Sequence, residues 1–78
     1  MEKLVKYIVD NLVSNKDAVY VTEEPGDKET VIRVVVAKED LGKVIGKGGK
    51  IAQSIRSIVK TAAAGEETKT RYFVKFEE

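Results

Sequence analysis

The chain has 78 residues, of which 14 are Lys or Arg, 13 are Asp or Glu, and none is Cys or His. This length predicts a single domain, and without Cys or His there is no disulfide, thiolate nucleophile, cysteine metal site or histidine general base. No apolar run approaches the ~20 residues that span a bilayer, and the Met-Glu-Lys start lacks the features of a signal peptide. We therefore expect a cytoplasmic protein with no membrane insertion.

Basic residues are concentrated in one segment. Positions 38 to 60 carry six basic residues and two acidic ones, whereas the rest of the chain has three more acidic than basic residues. The basic residues of the segment are Lys38, Lys43, Lys47, Lys50, Arg56 and Lys60. This asymmetry predicts a face for an anion on a weakly acidic body. Lysines on helices are also often simply solvated, and for Arg56 and Lys60 we expect a solvated face.

The first half of the chain predicts a helix and a hairpin. Apolar residues recur at helical spacing from Lys3 to Val13, so a helix is expected to end near Ser14. Two runs rich in β-branched residues follow, Ala18–Glu23 and Thr30–Ala37. The Pro25-Gly26 pair between them predicts a short turn with positive φ at the glycine. The second run is apolar on nearly both faces, so we expect it to be the central strand. Tyr7 and Tyr20 are expected at the edge of the core.

The second half predicts two helices and a strand. Asp40 is expected to cap a short helix, Leu41 to Ile45, with its side chain, and Leu41 and Val44 are assigned to the core. Gly46 is expected to stop this helix with a positive φ. The next helix should begin near Gly49 or Lys50 and end at Gly65. The residues expected on its buried stripe are Ile51, Ile55, Ile58, Val59 and Ala62.

The final strand is expected from Arg71 to Phe76, with Tyr72 and Phe76 under the helices and Phe73 on the other face. The element order is thus α-β-β-α-α-β. A strand–helix–helix–strand crossover returns the chain parallel to the strand it left. We therefore predict an α+β fold in which three helices cover one face of a three-stranded mixed sheet.

The most informative segment is the turn Gly46-Lys47-Gly48-Gly49. A plain turn between two helices needs one or two glycines, whereas three in four positions remove every Cβ except that of Lys47. Another backbone can then approach closely, and the free N–H groups of the next helix point to the same place. With Lys43, Lys47 and Lys50 nearby, the arrangement suits a phosphate group.

Other glycine motifs do not fit this turn. A P-loop requires Ser or Thr after Gly49-Lys50 and glycine at Val44, and the dinucleotide fingerprint requires glycine at Ile51. With no catalytic pair of carboxylates near the turn, we predict no enzyme activity, no catalytic or metal-binding residue and no cofactor. The stretch Lys69 to Phe76 partly matches the RNP1 strand of an RRM, but the element order differs.

The run Val44-Ile45-Gly46-Lys47-Gly48-Gly49 resembles the Ile-Gly-x-x-Gly signature of KH domains. The preceding helix and strand match the type II arrangement, and the whole chain is most similar to the KhpA family of small bacterial single-domain KH proteins. The resemblance implies non-enzymatic binding of single-stranded RNA, with the turn clamping about four nucleotides beside a groove for the bases. The binding residues it implies are Gly46, Lys47, Gly48, Gly49, Lys50, Lys43, Ile45 and Ile51.

The resemblance also implies an RNA chaperone that forms homodimers, pairs with a KhpB/Jag-like protein, and is linked to cell elongation and envelope synthesis. An alternative stays open: the KH fold serves mainly as a protein–protein interaction module for dimer or heterodimer assembly. The open face of the sheet and Phe73 make this alternative possible.

Overall fold

The structure is a computed structural model that describes residues 1–67 and 70–78. Its helices are α1 (Glu2–Asp10), α2 (Leu41–Ile45) and α3 (Lys50–Ala64), and its strands are β1 (Tyr20–Pro25), β2 (Glu29–Val35) and β3 (Arg71–Glu77). Single 3₁₀ turns lie at Lys16–Ala18, Lys38–Asp40 and Lys47–Gly49. The predicted order α-β-β-α-α-β is confirmed. No helix in the described ranges combines the length and apolar character needed to cross a membrane.

The three strands form one mixed sheet with β2 in the centre. β1 pairs antiparallel with β2, and Tyr20 lies opposite Val35. β3 pairs parallel with β2, and Val31 lies opposite Phe73. The central position of β2 and the parallel direction of β3 are both as predicted. The sequence identified β2 as central because a strand that is covered by helices and flanked on both edges has a nearly continuous apolar run.

The helices cover one face of the sheet and enclose a single hydrophobic core. Leu41, Tyr72 and Phe76 are partly buried against this core, as predicted. Its most deeply buried apolar side chains are Val5, Val9, Ile32, Val34, Val44, Ile55, Val59 and Val74. Valine dominates, and a domain of this size buries only about 60% of the surface of its unfolded chain, so substitutions in this core should be poorly tolerated.

Helix α1 ends at Asp10, earlier than the prediction of Ser14. The side chain of Asn11 donates a hydrogen bond of 2.7 Å to the carbonyl of Tyr7, the group that its own N–H would bond in a continuing helix. The N–H of Asn11 instead bonds the carbonyl of Ile8. Asparagine competes with the backbone in this way and ends the regular helix.

The hairpin turn also differs from its prediction. Pro25 is the last residue of β1 and pairs with Thr30, so the connection consists of the three residues 26–28. Gly26 has no positive φ; its N–H donates to the carbonyl of Glu29 at 2.8 Å. A Cβ on Gly26 would lie 2.8 Å from that carbonyl oxygen. The glycine is needed for this close approach, and not for the φ angle of a type II turn.

Three apolar side chains were predicted to lie in or at the edge of the core and are exposed instead: Tyr7 by 70%, Tyr20 by 65% and Ile58 by 44%. On α3 the buried residues are Ala52, Ile55, Val59 and Ala63. Ile58 lies outside this buried stripe and faces outward.

A candidate nucleic-acid interface

Gly46 fixes the start of the glycine turn. Its φ of 76° and ψ of 172° lie in a region that is essentially restricted to glycine, and the predicted positive φ is confirmed. A Cβ at this position would lie 2.6 Å from Cγ1 of Ile51. Gly46 therefore allows the end of α2 to pack directly on the first turn of α3, and its requirement for glycine is already explained by the fold.

Gly48 and Gly49 have a different environment. Their φ values are 64° and 77°, and no atom lies within 4 Å of the position that a Cβ would occupy on either residue. Packing thus gives no reason for these two glycines beyond backbone conformation. The main chain here is open on its outer side, as the sequence predicted, and a ligand can approach it without meeting a side chain.

The turn also presents unpaired positive charge. The side chains of Lys47 and Lys50 are exposed, and neither makes an ion pair with any residue in 1–67 or 70–78. The 15-residue helix α3 begins at Lys50, so the positive end of its dipole lies at the turn. Open main chain, a helix N-terminus and two free ammonium groups together suit a phosphodiester.

Lys43, on α2, differs from these two lysines because it has partners within the fold. Its Nζ lies 3.2 Å from Oδ1 of Asp40, and it also donates a hydrogen bond to the hydroxyl of Ser14. The structure therefore places Lys43 in an ion pair with the scaffold, whereas Lys47 and Lys50 project from the turn.

Asp40 occupies the predicted position before α2, but its predicted capping role is wrong. Its carboxylate makes no capping bond to α2; it accepts hydrogen bonds from the backbone N–H groups of Asn15 at 3.0 Å and Ser14 at 3.1 Å. These bonds and the ammonium of Lys43 lower the pKa of Asp40 below its ordinary 3.8, against the opposing effect of burial. The carboxylate ties the loop after α1 to the start of α2.

Ile45 and Ile51 are half-buried and pack against the core on either side of the glycine turn. They are therefore part of the edge of the core. Both residues flank the turn in the sequence and keep part of their surface exposed.

A cavity of about 710 Å³ lies between the second half of α3 and β3. Lys60 and Ala63 line it from α3, and Arg71 and Phe73 line it from β3. β3 is an edge strand, so the main-chain groups on its outer side have no neighbouring strand to pair with. The residues of the glycine turn do not line this cavity, although Arg56 on its wall is only about 9 Å along the helix axis from Lys50.

Arg56 is not the purely solvated residue that the sequence suggested. Its Nε and Nη2 atoms each lie 3.3 Å from the carbonyl oxygen of Val74, and its Cζ lies 5.5 Å from the centre of the Phe76 ring. The guanidinium therefore covers part of the free edge of β3. Sequence periodicity could not show this contact, because it depends on how closely α3 approaches that edge.

In residues 1–67 and 70–78 no group of three or more acidic side chains is placed to hold a metal ion. Two helices joined by an open glycine turn, on a mixed sheet whose third strand is parallel, are the arrangement of a type II KH domain. A family model described as KhpA/KhpB, KH domain, matches residues 2–76. The chain belongs to this KhpA/KhpB family, which is a non-enzymatic one, as the sequence predicted.

Relatives from several bacteria support this assignment. An RNA-binding protein KhpA of Caldanaerobacter subterraneus subsp. tengcongensis is 54% identical over 67 residues, covering 86% of this chain and 89% of that protein. One from Clostridium perfringens is 44% identical over 69 residues, covering 88% and 92%. One from Treponema pallidum is 40% identical over 68 residues, covering 87% and 85%.

Proposed function

We propose that this chain binds single-stranded RNA without catalysing a reaction, and that the Gly46–Gly49 turn clamps the sugar–phosphate backbone. The observation that carries the proposal is the open main chain at Gly48 and Gly49, with nothing within 4 Å of either Cβ position. The N–H of Gly49 donates to the carbonyl of Gly46 at 3.1 Å, so the N–H of Gly48 is the main-chain donor that a phosphate can reach here, and Lys47 and Lys50 supply charge beside it. The similar proteins that are named RNA-binding support RNA as the ligand.

The bases extend from the turn toward the cavity between α3 and β3. Ile45 and Ile51 offer apolar surface next to the turn, and the free edge of β3 offers main-chain donors and acceptors for base edges. Arg56 already bonds the carbonyl of Val74, so a base that enters here either displaces the guanidinium or stacks on it. The groove is thus apolar next to the glycine turn, at Ile45 and Ile51, and basic further along α3, at Arg56.

One such site holds about four nucleotides and is expected to bind weakly. A second copy of the chain on the same strand raises the effective affinity without any new type of contact. We therefore include the homodimer, and a heteromer with a KhpB/Jag-like protein, in the proposal. The exposed Ile58, beside a shallow depression with Thr61 and Ala62, offers an apolar surface for self-association on the flank of α3 opposite Arg56.

Weak binding with little base preference and rapid exchange suits an RNA chaperone, which must release its substrate. A cytoplasmic location and a link to cell elongation and envelope synthesis are implied only by the family resemblance, and we include them in the same proposal. The second candidate function is a protein-interaction module, which the exposed Ile58 favours.

The decisive experiment replaces Lys47 and Gly48 together by aspartate. Gly48 has φ 64° and ψ 18°, a conformation that Asp tolerates better than most residues, so the variant should fold. The matched control is Lys3→Asp with Lys6→Ser on the exposed side of α1, which lowers the net charge by the same three units. Binding to a labelled pool of random RNA of about eight nucleotides is measured by fluorescence anisotropy, and folding by circular dichroism.

If the turn clamps RNA, the turn variant folds and loses RNA binding, while the α1 variant retains most of it. Unchanged affinity in a folded turn variant would reject the clamp and leave the interaction module as the better description. In that case Ile58→Glu should abolish self-association in sedimentation experiments with no effect on RNA.

A further inference from the structure

Phe73 is an exposed aromatic residue that is part of neither the hydrophobic core nor the glycine turn. It lies on β3, on the sheet face away from the helices, and 49% of its surface is exposed. The ring stays in solvent even though a domain of this size buries little apolar surface. The sequence predicted that Phe73 lies on the outer face of the sheet, within the partial match to the RNP1 strand, but it indicated no role for the residue.

The position of Phe73 joins two surfaces. Phe73 is among the residues that line the cavity between α3 and β3, and its side chain belongs to the open face of the sheet, where the residue lies opposite Val31. β3 is the edge strand, so no other strand separates the cavity from the ring. A chain that leaves the groove can therefore cross the edge of β3 and reach the ring directly.

The neighbours of Phe73 indicate the chemistry of its partner. Arg71 and Lys75 share its face of β3, because side chains alternate along a strand. Lys75 also pairs with Glu77 at 3.4 Å, so Arg71 is the cation that is free to meet a phosphate next to a base stacked on the ring. Arg71 makes no ion pair within the described parts of the chain, and its guanidinium plane can also stack on a base.

A protein partner fits this face less well. Arg33 lies at the centre of the open face and pairs with Glu24 at 3.5 Å and Glu77 at 3.3 Å. These charges separate Phe73 from the other exposed aromatic residue of the face, Tyr20, on the opposite edge strand. The face therefore has no continuous apolar patch of the kind that marks a protein interface.

We propose that Phe73 stacks on a base of the RNA segment that leaves the groove, so that the footprint of the domain is longer than the segment held by the glycine turn. This inference rests on the proposed RNA-binding function. The ligand class is single-stranded RNA that crosses the edge of β3, with Arg71 contacting a phosphate next to the stacked base.

The test compares RNA of about four nucleotides with RNA of about eight. Phe73→Ala should lower the affinity for the longer RNA about tenfold and leave the affinity for the shorter RNA unchanged. Phe73→Leu, which keeps an apolar side chain without a ring, should behave like Phe73→Ala. Tyr20→Ala is the matched control, an exposed aromatic residue lost from the same face, and should change neither affinity.

A direct signal is available because the chain contains no Trp. In Phe73→Trp the indole is the only tryptophan, and stacking on a base should quench its fluorescence. We expect quenching with the longer RNA and none with the shorter one. If Phe73→Ala and wild type bind the longer RNA equally, or the indole is not quenched, the stacking site is rejected.

The outcomes separate this inference from the proposed function. Loss of binding in the Lys47→Asp/Gly48→Asp variant together with no effect of Phe73→Ala rejects stacking alone. If the turn variant still binds the shorter RNA, the clamp itself fails. A change of oligomeric state in Phe73→Ala, measured by sedimentation, would assign the ring to a protein contact and overturn the proposal.

Discussion

Lys43 Nζ lies 3.2 Å from Oδ1 of Asp40, a carboxylate that is completely shielded from solvent. This ion pair, with the two backbone bonds that the same carboxylate accepts from the loop after α1, joins that loop to α2. The three lysines around the glycine turn are therefore not equivalent. Lys43 helps to hold α2 against the loop after α1, whereas Lys47 and Lys50 are free to contact a ligand.

The first prediction separates these lysines by their salt dependence. Each phosphate contact on a single strand contributes about 0.7 to the slope of log affinity against log salt. Lys47→Gln should therefore lower the affinity for the random RNA pool and reduce the slope by about 0.7, whereas Lys43→Gln should leave the slope nearly unchanged and lower stability. Anisotropy titrations at several salt concentrations measure both. Equal reductions of the slope in the two variants would contradict this division.

The second prediction concerns the pH dependence that Asp40 creates. The backbone N–H groups of Asn15 and Ser14, followed by Lys43, lower the folded-state pKa of Asp40. Because the folded pKa lies below the unfolded one, the carboxylate stabilises the fold above the unfolded pKa of about 3.9, and this stabilisation is lost as the pH falls through the folded pKa.

Asp40→Asn should accordingly have a lower melting temperature than wild type at pH 7, and the difference should shrink as the pH falls below about 4. Thermal unfolding of both proteins over this range measures the effect. Asp17→Asn serves as the control, because Asp17 is an exposed aspartate in the loop after α1, and this variant should melt at nearly the wild-type temperature at pH 7. A gap between wild type and Asp40→Asn that stays constant with pH would disprove the assigned origin of the stabilisation.

The third prediction ranks alanine substitutions at three neighbouring glycines. Gly46→Ala introduces a Cβ 2.6 Å from Ile51 in a strained conformation, and should cost at least about 1–3 kcal/mol. Gly48→Ala meets no atom within 4 Å and should cost about 1–2 kcal/mol from its positive φ alone. Gly42→Ala lies within α2 with open space around it and should stabilise by about 0.5–1 kcal/mol.

Urea denaturation of the three variants gives these free energies of unfolding, and RNA binding adds a second comparison. Gly48→Ala should weaken RNA binding although it is the milder of the two destabilising changes, because its Cβ stands where the phosphate approaches. Gly42→Ala should bind RNA like wild type. A Gly46→Ala protein as stable as Gly48→Ala would show that Ile51 adapts more easily than its packing indicates.

The sequence predicted the parts of the fold that depend on periodicity and on glycine. Helix α2 was placed at its observed bounds because Asp40 and Gly46 delimit it, and the central position of β2 followed from its two apolar faces. The open main chain at Gly48 and Gly49 was also anticipated, since local backbone chemistry is readable from residue type.

The errors concern contacts between distant parts of the chain. Asp40 has the composition and position of a helix cap, but its actual partners, Ser14 and Asn15, are about 25 residues away in the sequence. Ile58 fits a helical stripe, yet the residues of α3 that pack in the core include Ala52 and Ala63, and Ile58 is exposed. Arg56 looks like any surface cation until the edge of β3 is placed beside it. These arrangements are set by packing, which local patterns do not record.

The last prediction addresses how Arg56 acts. Its guanidinium holds the carbonyl of Val74 through two bonds of 3.3 Å and lies over Phe76, so both its planarity and its fork of donors are used. Arg56→Lys keeps the charge and loses both properties. If Arg56 shapes the groove, Arg56→Lys should lose most of the RNA affinity that Arg56→Gln loses, and its stability should change by no more than about 1 kcal/mol.

The control is Lys60→Gln. Lys60 is exposed and makes no ion pair with any residue in the described parts of the chain, so its replacement should alter only the salt slope. Anisotropy with the RNA of about eight nucleotides, and urea denaturation of each variant, provide the two readouts. If Arg56 acted only as a point charge near a phosphate, Arg56→Lys would bind RNA as wild type does. That result would leave the edge of β3 accessible to bases without any contribution from the planar guanidinium.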